Sequence, residues 1–159
     1  MSFPDRIYTT DEVKNAKALV DQGYKHNLIV EGSIEFKDKV HQALQLIKTA
    51  GYYDFFVAHI RKIVEIDGIT QLRETEVEIW AGKFAVENPV DAASLFIQKA
   101  YHMQEYLEGK LYYGGNAEKR SVAKRIEFLQ RLKEETKDNS TKEECERLLE
   151  MWKDSSLVF

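Results

Sequence analysis

Residues 76–86, EVEIWAGKFAV, decide whether this chain is purely helical or carries a sheet. Val77, Ile79 and Ala81 alternate with Glu76, Glu78 and Trp80, the period-two spacing of a strand with one buried face. Gly82 then shifts the apolar phase to Phe84 and Val86, as a bulge or bend does. A helix over the same window is the alternative, because Ala, Glu and Lys tolerate helix well. The alternation favours a strand, and with it a mainly α chain carrying a small β element.

Upstream the period changes to that of helices. Thr9-Thr10-Asp11-Glu12 reads as a helix start, and Val13, Ala16, Leu19 and Val20 keep an apolar face until Gly23. Asn27-Leu28-Ile29-Val30-Glu31-Gly32 is a short strand or a buried loop. From Ser33 the positions Phe36, Val40, Ala43, Leu44 and Ile47 form one helical face, ended by Ala50-Gly51. Tyr53, Phe56, Val57, Ile60, Ile63 and Val64 predict a second helix that stops at Asp67-Gly68.

Downstream, Asn88-Pro89-Val90-Asp91 opens a helix that runs to about Glu108 and ends at Gly109. Its core face is Ala92, Leu95 or Phe96, Ala100, Met103 and Leu107. After Tyr112, Tyr113 and Gly114-Gly115, Asn116 is a predicted N-cap for a helix to about Lys133, with Val122, Ile126, Leu129 and Leu132 on one side. Ser140-Thr141-Lys142-Glu143 has the pattern of a capping box for a last helix over about 140–154, bearing Cys145, Leu148, Leu149 and Trp152. The expected core is residues 36–64 packed on the helices at 91–108 and 117–133, within one domain of 159 residues.

Composition narrows the function classes. Charged residues make up 31% and hydrophobic residues 43%, with a net charge of −4 and both signs interspersed. No basic stripe marks a nucleic-acid partner. No apolar run approaches the roughly 20 residues that span a bilayer, and Met1-Ser2-Phe3-Pro4-Asp5 has no leader pattern, so no membrane partner and a cytoplasmic location are expected. Cys145 is the single cysteine, which excludes an internal disulfide and a CxxC site and reads as a small buried hydrophobe.

Within the helix near 91–108 three polar residues interrupt the apolar pattern. Gln98 and His102 stand at i and i+4, on one side, with Lys99 beside them. The plainest reading is three surface residues on the outer face. The same spacing is how an HExxH helix presents two zinc ligands and a general-base carboxylate.

The surrounding order resembles small zinc-metallopeptidase-like domains of the HExxH type, across roughly Glu31 to Leu132. The resemblance rests on EFKDKVHQALQLI at 35–47, GYYDFFVAHIRKI at 51–63, AASLFIQKAYHMQEYLEGK at 92–110 and YYGGNAEKRS at 112–121. It implies that Gln98 stands where the first His belongs, Lys99 where the catalytic Glu belongs, and His102 as the second His, with Glu118 in the place of a third ligand. Gln98 is a poor zinc ligand, and a charged Lys99 neither accepts a proton nor tolerates a dication. The resemblance therefore implies a relic site of Gln98, Lys99, His102 and Glu118 with no metal, no cofactor and no catalytic residue, in which Lys99 pairs with Glu118.

The expected function is a catalytically inactive, metallopeptidase-like binding or scaffolding module. Two alternatives stay open: an active hydrolase using His102 and Glu118, and a helical self-association module. Tyr101, Tyr106, Tyr112 and Tyr113 are the candidate binding surface, for another protein or a second copy of the chain, and Tyr52, Tyr53, Phe55 and Phe56 form a further aromatic cluster. His26, His41 and His59 have no partner at ligand spacing, and Asp54, Glu65 and Asp67 lack a second feature that would make them a catalytic carboxylate pair. Asp67-Gly68-Ile69-Thr70 lacks the alternating oxygens of a calcium loop.

Overall fold

The computed structural model describes residues 10–21, 28–109 and 115–156. Six helices and a four-stranded sheet follow one another as α1 (Thr10–Asp21), β1 (Ile29–Glu31), α2 (Ile34–Thr49), α3 (Tyr53–His59), β2 (Lys62–Ile66), β3 (Gln71–Arg73), β4 (Glu78–Gly82), α4 (Pro89–Leu107), α5 (Gly115–Glu135) and α6 (Asn139–Ser156). The fold is mainly helical α+β, as the alternation at 76–86 predicts.

The sheet has the order β1-β2-β4-β3. β1, β2 and β4 run parallel, with Val30 opposite Ile63 and Ile63 opposite Ile79, while β3 returns antiparallel to β4 with Leu72 opposite Ile79. α2 and α3 make the crossover between β1 and β2, as a parallel pair requires. Ile63, Leu72, Ile79 and Ala81 face the core, where they meet Phe36, Val40, Ile47, Phe56 and Phe96.

Two sequence expectations are corrected here. The helix predicted from Tyr53 to Val64 stops at His59, and Lys62–Ile66 is a strand. Ile60, Ile63 and Val64 continue a helical spacing by coincidence, but β-branched KIVEI suits the pleated surface between two partner strands. β3, from Gln71 to Arg73, has no counterpart in the sequence reading, and Asp67-Gly68 is the turn that leads to it.

The strand expected over 76–86 is shorter, Glu78–Gly82, because its two ends are fixed by backbone geometry. At the start, Val77 closes a 3-10 turn (Glu74–Glu76) in the left-handed region at φ 59, which costs a β-branched residue about 1–3 kcal/mol. Val77 is held there by burial and by its carbonyl, which accepts from the Arg61 N–H at 3.0 Å. At the end, Gly82 is no bulge but the point where the turn after β2 crosses closely. A Cβ on it would stand 2.2 Å from the Gly68 carbonyl oxygen.

α4 is the central helix, packed against α1, α2, α3, α5 and α6. Its start follows the sequence reading: the Asn88 side chain accepts from the N–H groups of Val90 and Asp91 at 3.0 and 3.1 Å, with Pro89 in the first turn. The start of α6 does not. Asp138, rather than Ser140, caps it, accepting from the Thr141 N–H at 3.0 Å and the Thr141 hydroxyl at 2.7 Å. Asn116 lies inside α5, which begins at Gly115. Among the described residues no helix is long and apolar enough to cross a membrane.

Candidate functional site

Since α4 is covered on nearly every side, its polar residues have no outer face to occupy. Gln98 and His102 are each only 8% exposed, which corrects the surface reading of the triplet. An amide in such a place must find partners, because leaving a buried polar group unpaired costs about 1–3 kcal/mol.

Gln98 finds both partners on α5. Its Nε2 donates to the Ser121 hydroxyl at 2.9 Å, and its Oε1 accepts from Arg125 Nη1 at 2.9 Å. Arg125, itself 6% exposed, uses the rest of its planar fork on the same helix: Nε donates to the Ser94 hydroxyl at 2.9 Å and Nη2 to Asp91 Oδ1 at 2.7 Å. The Ser94 hydroxyl in turn donates to the Asp91 carbonyl oxygen at 2.8 Å. The Trp152 ring of α6 lies on the guanidinium, 4.5 Å from its centroid, so one side chain ties together three helices. Burial lowers the pKa of Arg125 and the Asp91 carboxylate opposes that effect, leaving a charged group inside the bundle.

Sequence reasoning missed this network, although a signal was present. Ser121, Arg125, Phe128 and Leu132 are spaced as one helical stripe, and all four are buried. Of the stripe expected for α5, Val122, Leu129 and Leu132 are buried and Ile126 is half-buried; the buried face extends further, through Ser121, Arg125 and Phe128. Asp91, Ser94 and Gln98 are the matching polar stripe on α4.

His102 lies one turn beyond Gln98. Desolvation, reinforced by the charges of Lys99 and Arg120, lowers its pKa to about 4, so the ring is neutral near pH 7. Lys99 is half-buried on the neighbouring side of α4. The side chain of Glu118 lies outside the described residues, and with it the expected Lys99–Glu118 pair. Among the described residues no three His, Cys, Asp or Glu side chains stand close enough to hold a metal ion.

The aromatic residues divide differently from the expectation. Tyr106 is 1% exposed and belongs to the core, which removes it from the candidate binding surface. Tyr101 is half-buried, its ring 4.5 Å from Phe55 and under the Lys124 ammonium, and desolvation raises its pKa. Tyr112 and Tyr113 lie outside the described residues. Tyr52 packs edge-on against Phe128 at 5.2 Å, and burial pushes its phenol up to about 12. Phe55 and Tyr101 thus join α3 to α4, and Tyr52, just before α3, meets Phe128 of α5.

The remaining titratable candidates have structural surroundings. His59 bonds the Phe55 carbonyl through Nδ1 at 2.8 Å, and burial lowers its pKa. His41 and Asp54 are exposed, and His26 lies outside the described residues. Cys145 is fully buried as expected, and desolvation first, then Glu144, pushes its thiol up to about 11, far from a nucleophilic thiolate. Compared with family models, with curated proteins and with solved structures, the chain matches none.

Proposed function

We propose that this chain is a catalytically inactive, metallopeptidase-like domain that works in the cytoplasm as a binding or scaffolding module. The observation that carries the reading is the Arg125 guanidinium, 2.9 Å from Gln98 Oε1. In an HExxH helix the first ligand turns a lone pair toward a dication. Here the atom at the equivalent position accepts from a permanent cation on α5. A metal ion about 4 Å from that cation would be opposed by about 4 kcal/mol for each unit of its charge at an effective dielectric near 20. Lys99 adds a second positive charge beside His102.

Zinc content tests the reading. The full chain, purified without chelator, loaded with zinc and dialysed, is expected to retain far less than one equivalent by elemental mass spectrometry. Retention near one equivalent, lost in His102→Ala and in Glu118→Ala, would overturn it in favour of a hydrolase using that pair.

A further inference from the structure

The largest exposed apolar side chains are not scattered. Of the five large hydrophobics that stand exposed among the described residues, Ile34 (80%), Ile69 (89%) and Phe84 (75%) are the three most exposed. Each follows the carboxyl end of a different parallel strand: Ile34 after β1, Ile69 after β2 and Phe84 after β4. These strands are neighbours, so their ends fall within about 10 Å of one another. Folding gives no reason to bring three such side chains to one rim, and contiguous exposed apolar patches mark interaction sites.

Beside Phe84, against the first turn of α2, opens a crevice of about 250 Å³. That is below the roughly 300–1,000 Å³ of pockets for drug-sized molecules and suits one long side chain. Phe36, Phe84 and Val86 give it apolar walls, while Glu35, Glu65 and Glu87 bring three carboxylates against the ammonium groups of Lys39 and Lys83. Lys83 is already engaged, its Nζ 3.0 Å from Asp67 Oδ1. Glu65 is positioned rather than loose: its Oε1 accepts from the Ser33 N–H at 2.8 Å, and a side chain on Gly32 would collide with its Cβ at 2.8 Å.

We propose that this edge docks a segment of a partner protein carrying large apolar side chains beside a lysine or arginine, whose aliphatic stem lies on the exposed Phe84 ring and whose charge meets Glu65. Charge complementarity selects this occupant. A second copy of the same edge would bring surplus carboxylates against carboxylates, and an anionic membrane or a phosphate backbone would be repelled in the same way. The inference deepens the binding-module reading while standing apart from its metal-free aspect, since zinc content and peptide binding are separate readouts.

The test uses the full chain and two fluorescein-labelled peptides of twelve residues, one of Leu and Lys and one with Glu in place of every Lys, followed by fluorescence anisotropy. The Leu/Lys peptide is expected to bind, more weakly as salt rises, and the Leu/Glu peptide to show no binding. Ile34→Ser with Phe84→Ser, and separately Glu65→Gln, should each weaken binding roughly tenfold or more, the scale of a lost hot-spot contact. Glu65→Gln keeps an oxygen for the Ser33 N–H, so its loss of binding is not a loss of fold. Met151→Ser, on the exposed face of α6, should leave affinity unchanged. Equal weakening by Met151→Ser and by the edge variants, binding unaffected by either edge variant, equal binding of both peptides, or no binding of the Leu/Lys peptide would overturn the proposal.

Discussion

Replacing Arg125 with alanine lowers the stability of the chain by about 3–5 kcal/mol, the cost of leaving the buried Gln98 and Ser94 acceptors unpaired and opening a cavity, while Asp91, whose side chain is 37% exposed, turns to water. The guanidinium satisfies Gln98 Oε1, the Ser94 hydroxyl and Asp91 Oδ1 together. Removing it also uncovers one face of the Trp152 ring and opens a void at the meeting of α4, α5 and α6. For a chain of this length the loss corresponds to a fall in melting temperature of roughly 10 °C. Lysine recovers only part of it, since an ammonium at one point cannot reproduce three directed bonds from a planar fork. Urea unfolding followed by far-ultraviolet circular dichroism checks the value, and a loss under 1 kcal/mol for Arg125→Ala would mean that the network holds little.

Acidification from pH 6.5 to pH 4 removes on the order of 3 kcal/mol of stability through His102 alone. The sign follows from linkage. In the unfolded chain the imidazole takes up its proton near pH 6.5, whereas in the folded protein burial, Lys99 and Arg120 delay protonation to about pH 4. Between those values the unfolded state binds more protons, so stability declines by up to about 1.4 kcal/mol per pH unit, and it levels off for this group below pH 4. The contribution is therefore complete above pH 6.5. His102→Asn, which does not titrate, should show a correspondingly flatter decline in urea melts over the same range. Parallel declines for the two proteins would place the ring in contact with solvent.

Local pattern was legible in the sequence wherever one short-range cause dominated. The Asn88-Pro89 cap of α4, the glycine end of that helix at Gly109 and the strand spacing of Ile79 and Ala81 about Trp80 each depend on neighbours within a few residues. The failures share a different cause. KIVEI at 62–66 satisfied a helical spacing, and only its pairing with β1 and β4 makes it a strand. Gly82 read as a bulge because its true constraint, the Gly68 carbonyl, is fourteen residues away in the chain. The cap of α6, Asp138, stands two residues before the pattern that Ser140 offers.

At the site, the sequence singled out Gln98 and His102 but not the reason for their placement. Gln98 carries no sign of its partners until α4 and α5 are laid together, when Ser121 and Arg125 come opposite it. An arginine within a charged helix carries no sign of burial by itself, and only the burial of Ser121, Phe128 and Leu132 along the same stripe marks Arg125 as interior. The polar interruption at Gln98 and His102 marks the helix at the centre of the bundle. The geometry adds that Gln98 is committed to helix packing.

A double-mutant cycle between Gln98 and Arg125 tests that commitment most directly. Gln98→Ala, Arg125→Ala and the double variant are unfolded in urea under identical conditions, and the coupling energy is taken from the four stabilities. A coupling of about 1–3 kcal/mol is predicted for two buried side chains joined by a charge-assisted bond. Losses that add to within about 0.5 kcal/mol would show the two residues to be independent, and Gln98 would then be open to the ligand role that the account denies it.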